Sequence, residues 1–285
     1  ICQPTDMSEP IESYALLGDM QTAALVSKRG SIDWLPFPRF DSGACFAALL
    51  GSNENGSWQV APAGNPECTR RRYRGDTLIL ETEWETSSGA VRVIDFMPPR
   101  GEAPDVVRIV EGISGSVDME TVIRVLFDYG SIVPWVRRMA GGLRMIAGPD
   151  SLCLRSPIDL EADGNSHVAR FRVSAGDRIP LVLTWQASHR HPPRAIDAEH
   201  ALRDTETEWT EWVARCHYDG EWRDAVIRSL TTLKALTYRP TGGIVAAATT
   251  SLPEQIGGER NWDYRYCWLR DATITLQALL FAGCT

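Results

Sequence analysis

The chain has 285 residues, enough for one large domain or two ordinary ones. Its 44% hydrophobic and 23% charged content is that of a soluble globular protein, and a net charge of −8 argues against a nucleic-acid backbone as partner. No apolar stretch reaches the ~20 residues needed to span a bilayer, so no membrane partner is expected.

The first residues lack the basic start and apolar core of a signal peptide. Ile1 is not an ordinary translation start; Met7 is one, and Met7-Ser-Glu-Pro-Ile-Glu reads as the N-terminus of a cytoplasmic protein. From about residue 14 to residue 187, short runs rich in Val, Ile, Leu and Trp alternate with turn residues. The runs are Ala23–Val26, Ser31–Leu35, Thr77–Trp84, Val91–Phe96, Val106–Ile113, Glu120–Phe127, Leu143–Ala147, His167–Val173 and Ile179–Trp185. Many short strands without intervening helices predict an antiparallel sandwich. Val91–Phe96 alternates as a strand buried on one face would. Ala44–Leu50 is the exception and reads as one or two helical turns. Asn55-Gly56 is a turn signal. Asp128-Tyr129-Gly130 and Trp135–Arg138 either face the next domain or form a solvated strand edge.

The texture changes at His191-Pro192-Pro193. Residues 195–215 carry Ala198, Leu202, Trp209, Trp212 and Val213 at helical spacing, which predicts a linker helix. A second helix is expected from about Glu221 to Tyr238, with Trp222, Val226, Leu230, Leu233 and Leu236 or Thr237 as its apolar stripe. Pro240 ends it, and Thr241-Gly242-Gly243 turns the chain. A last helix begins near Arg270 and is apolar on nearly every side through Phe281, so burial all round is expected. The domains predicted are 7–194 (sandwich), 195–220 (linker helix) and 221–285. Seven cysteines without CxxC spacing read as free thiols rather than a disulfide framework or zinc site. His189-Arg190-His191 lacks a supporting carboxylate or Cys, and the chain has no Gly-rich phosphate loop, so neither metal nor cofactor is expected.

The most informative stretch is Gly257–Asp271, where aromatics crowd between charges. Its Trp and Tyr side chains offer flat faces for the C–H side of a sugar ring, while Arg270 and Asp271 offer hydrogen bonds to its hydroxyls. Arg270 and Asp271 diverge by about 100° on a helix, so they are poorly placed as each other's sole partner, and a bound polyol would satisfy both. The bland reading is a salt-bridge network at a helix start.

Tyr266-x-Trp268-x-Arg270-Asp271 resembles the first sugar-binding segment of the family 15 glycoside hydrolases, the glucoamylases and their trehalase-like relatives. The segment from Gly242 to Glu254 is similar to that family's approach to its helical barrel. Ile11–Asp19, Gly30–Pro36 and Pro38–Ser42 resemble the N-terminal β-domain of the bacterial trehalase-like members. The resemblance implies a β-sandwich, a helical linker and the first helices of an (α/α)6 barrel, and inverting, exo-acting hydrolysis of a terminal α-glucosidic bond in an α-glucan, an oligosaccharide or trehalose. It implies that Arg270 and Asp271 bind hydroxyls of the terminal glucose, and that Tyr266 and Trp268 wall it, with Trp262 and Arg265 beside them. The family's general acid and base are glutamates on later barrel helices. Both are expected beyond residue 285, which would leave this chain without turnover and its last helix free to self-associate. Glu254, Glu259, Asp263 and Asp271 have no claim to either role. A non-catalytic sugar-binding or interaction module, and a structural domain whose aromatic tract is core, stay open as alternatives.

Overall fold

The computed structural model describes residues 9–250, 252–253 and 257–284, so Met7 and Glu254 lie outside the described residues. Two antiparallel sheets pack face to face and share one long strand, Asp105–Arg124. The C-terminal half of that strand lies between Ser57–Pro62 and Ser166–Ser174, in register Val60↔Thr121 and Phe171↔Met119. Ser31–Pro36, Ala23–Val26 and Ala15–Gly18 extend this first sheet outward from Ser57–Pro62. The N-terminal half lies between Gly89–Phe96 and Arg178–Ala187, in register Val93↔Val110 and Val182↔Val107. Asp150–Arg155, Gly142–Ala147 and Trp135–Met139 complete the second sheet on one side, Leu80–Thr86 and Arg70–Tyr73 on the other.

The expected strands Val106–Ile113 and Glu120–Phe127 are thus one 20-residue strand. Gly112 and Gly115 let it pass between the sheets. A Cβ on Gly112 would lie 2.0 Å from the Ser174 carbonyl oxygen, and Gly115 has φ +61°. Side chains from both sheets, among them Ile32, Trp58, Trp84, Val93 and Leu183, fill the space between them. Arg108 and Asp95 form a fully buried ion pair at 2.8 Å, and Arg108 also donates to the carbonyls of Trp58 and Gly30 in the opposite sheet.

Two local expectations change. Ala44–Leu50 is not helical: Ala44–Phe46 pairs with the end of Ser31–Pro36, and Ala48–Leu50 is a 3-10 turn. Burial against a neighbouring strand outweighs the helix propensity of the alanines. Val91–Phe96 is buried on both faces, because Ile94 and Phe96 meet Ala198, Ala201 and Leu202 of the linker helix Ala198–Val213. That helix is capped by the Asp197 carboxylate, which accepts from the backbone amides of Glu199 and His200.

The next helix, Arg223–Ala235, is rotated from its expected stripe. It buries Ile227, Leu230, Thr231 and Ala235, and leaves Trp222 66% exposed. Two neighbours set this face. Gly18 comes so close that an added Cβ would sit 3.4 Å from that of Ala235, while Val226 and Leu230 meet the final helix, Leu269–Phe281. The final helix is not buried all round: Leu269, Ile274, Leu276, Leu280 and Phe281 are exposed, and Leu279 makes its apolar contact with the preceding helix. Cys216 and Cys284 are paired in a disulfide that ties the end of the linker to the end of the final helix, so these two thiols are not free as expected. Spacing in sequence gave no sign of this, because the two residues meet only through the packing of the three helices. No helix among the described residues is long and apolar enough to cross a membrane.

Candidate functional site

The aromatic tract is suspended between the sandwich and the final helix by backbone bonds. Tyr264 accepts from the Ala246 amide at 3.1 Å and donates to the Thr250 carbonyl at 3.2 Å. Residues 246–250 in turn follow a two-strand hairpin, Thr237–Tyr238 with Gly243–Ile244. The β-domain clasps this region directly. The Trp34 indole donates to the Ala248 carbonyl at 2.9 Å, and the Arg239 amide donates to that of Met20 at 2.8 Å.

Within the tract, Trp268 is the hub. Its indole donates to the Asp263 carbonyl at 3.0 Å. Trp262 meets it edge-on at 6.1 Å, and Tyr264 lies tilted against it at 5.7 Å. Such aromatic pairs hold one another in fixed orientation. Arg265 grips the Asp263 carboxylate, its Nη2 lying 2.6 Å from Oδ2. That hydrogen bond holds Asp263 below the usual carboxylate range and pushes Arg265 up. Tyr266 is 69% exposed and Trp262 50%.

Arg270 and Asp271 stand at the first turn of the final helix, where Trp268 caps without a side-chain bond. The two, expected to be poorly placed as each other's sole partner, do meet: Arg270 Nη2 lies 3.4 Å from Asp271 Oδ1. The long arginine side chain folds back far enough to bridge the angular separation. The contact is long and open to solvent, so both groups keep hydrogen-bonding capacity, and neither is sealed in the interior.

A cavity of about 220 Å³ opens beside the tract. It is lined by Arg265, Tyr266 and Cys267 of the tract, by Arg39 and Asp41 of the β-domain, and by Tyr238. Arg265 and Tyr266 are therefore brought together at a cavity, Trp262 and Trp268 pack on each other, and Arg270 and Asp271 lie outside its lining. Sequence reading missed Tyr264, although its place four residues before Trp268 in the same tract was a usable signal. It also missed Arg39 and Asp41, whose distance in sequence from the tract gave none. Of the two β-domain segments left open, Tyr129 packs on Trp34, their rings 6.0 Å apart. Trp135–Met139 is an outer strand with Trp135 60% exposed, stacked on Arg137.

Comparison with known proteins agrees with this layout. Residues 5–209 match the family described as trehalase-like, N-terminal, and residues 220–285 match glycosyl hydrolases family 15. The chain is 35% identical to a trehalase of Mycolicibacterium smegmatis and 30% identical to one of Thermoplasma volcanium, in each case across 96% of this chain and 45% of the relative. A bacterial glucoamylase solved in complex with acarbose shares the fold, with a TM-score of 0.68 at 12% identity over 99% of this chain and 50% of that one. The chain thus spans about half the length of the relatives it matches.

Proposed function

This chain belongs to glycosyl hydrolase family 15, with a trehalase-like N-terminal domain, and we propose that it forms the N-terminal part of an inverting, exo-acting α-glucoside hydrolase whose substrate is trehalose. Residues 7–194 are the β-domain, 195–220 the linker and 221–285 the start of an (α/α)6 barrel. The 35% identity to a trehalase across nearly the whole chain carries the choice of trehalose over an α-glucan.

The site supplies binding rather than bond cleavage. Arg270 and Asp271 take hydroxyls of the glucose that is attacked. Tyr266 and Trp268 wall it, while Trp262 and Arg265 brace the wall. Inversion requires a protonated acid and an ionised base about 6.5–9.5 Å apart. Asp263 is held ionised by Arg265, so it is not suited to give up a proton.

An inverting enzyme acting on α,α-trehalose releases one β-glucose and one α-glucose per bond. Proton NMR of a fresh digest by the natural protein that carries this chain reads the two anomers directly. Equal first-formed amounts are expected, and α-glucose alone would overturn the inverting assignment. Arg270→Ala removes a charge-assisted hydrogen bond and is expected to lower kcat/KM for trehalose by about 10–100-fold. A variant with wild-type kinetics would remove Arg270 from the site.

A further inference from the structure

The β-domain places a charged loop in the same cavity as the aromatic tract, and nothing about the fold of a sandwich requires it there. The loop is held firmly. The Phe40 amide donates to the Gln21 carbonyl at 2.9 Å, and the Arg39 amide to Ser42 Oγ at 3.2 Å. The Phe40 ring is buried and meets Tyr238 edge-on at 6.5 Å. Around that anchor the charges are spread outward. Arg39 Nε and Nη2 donate to the two Asp41 oxygens at 2.8 and 2.7 Å, and its guanidinium lies over the Tyr238 ring at 5.5 Å. Both side chains remain about half exposed. A solvent-exposed ion pair adds little to stability, so stability does not account for a fork held this rigidly.

The same cavity is lined by Arg265, whose guanidinium grips Asp263 outside the lining, and by the exposed Tyr266. The cavity's 220 Å³ falls below the ~300–1,000 Å³ of drug-sized sites, which suits one sugar ring rather than an oligosaccharide. Each guanidinium fork keeps an unused N–H, and each carboxylate keeps unused lone pairs. Adjacent hydroxyls of a pyranose match such a donor and acceptor pair. Arg270 and Asp271 do not line this cavity, so the ring it receives is a different one from the ring they hold.

We propose that Arg39 and Asp41 are substrate-binding residues supplied by the β-domain, gripping the hydroxyls of the second glucose ring, the one that leaves. The assignment rests on the trehalose reading above and makes the β-domain part of the specificity device. Arg270 and Asp271 recognise the attacked ring; the loop carrying Arg39 and Asp41 recognises what is attached to it.

The test is steady-state kinetics on the natural protein, with trehalose as substrate and 1-deoxynojirimycin as a single-ring inhibitor that fills the attacked-ring position. Arg39→Ala and the isosteric Asp41→Asn are each expected to raise the trehalose KM about tenfold while kcat changes less, with the inhibitor constant unmoved. Thermal melts of both variants check folding, and Asp41→Asn preserves shape if Arg39→Ala loosens the loop. An unchanged KM in both variants overturns the proposal and leaves the trehalase reading intact. A KM and an inhibitor constant that rise together also overturn it, since the loop would then act on the whole site. A natural protein that neither cleaves trehalose nor binds the inhibitor removes both readings at once.

Discussion

Asp105 offers the sharpest quantitative test of the fold, through Asp105→Asn. The carboxyl starts the long shared strand and is only 7% exposed, with Thr184 Oγ1 donating to its Oδ1. Burial, only partly countered by that hydrogen bond and by Arg155, pushes it from 3.8 up to about 6. Between those two values the folded protein keeps a proton that the unfolded chain has released. Stability therefore falls as pH rises from about 4 to about 6, and the full cost is present above that window. About two units correspond to roughly 3 kcal/mol at neutral pH, an upper bound because water penetration screens part of it. Asparagine keeps the volume and an acceptor for Thr184 but carries no charge to desolvate. The variant is expected to gain about 1–3 kcal/mol at about pH 8 and close to nothing at about pH 4. Urea unfolding followed by circular dichroism at the two pH values reads the difference. A variant destabilised equally at both would show that Arg155 and the hydrogen bond, not desolvation, dominate this carboxylate.

Arg108→Met leaves the Asp95 charge buried without its partner and takes a side-chain donor from the Trp58 and Gly30 carbonyls, so a loss of about 3–5 kcal/mol is expected in the same unfolding assay. Recovery of most of that loss on adding Asp95→Leu would confirm the unpaired charge as the cause, and a single variant as stable as wild type would refute it. The exposed face of the final helix, with Leu276, Leu280 and Phe281, predicts that the 285-residue chain self-associates as its concentration rises. Sedimentation velocity should show this, and Leu280→Glu should suppress it; a monomer at every concentration in both would rule the face out as sticky.

Much of the fold was legible because β-structure writes itself locally. Runs such as Ser31–Leu35 and Ile179–Trp185 are strands because β-branched and aromatic residues sit between turn signals, and the structure extends them by only a few residues at either end. The linker helix was legible for the same reason, its apolar residues recurring every three or four positions over the sheet. What failed was whatever depended on a distant partner. Ala44–Phe46 became a strand because another strand's end lay beside it. Arg223–Ala235 turned a different face inward because Gly18 and the final helix flank it. Cys216 and Cys284 met because three helices fold together.

The candidate site divides along the same line. Tyr266, Trp268, Arg270 and Asp271 stand within one short segment, so their proximity could be read from the sequence. Sequence determined which groups exist and that they cluster. Only the tertiary structure decided that Arg265 and Tyr266 face a cavity while Arg270 and Asp271 stand beside it, and that Arg39 and Asp41 arrive from more than two hundred residues away. The physical reason is that a local segment fixes its own backbone period, whereas a cavity exists only where separate elements are packed and fail to fill the space between them.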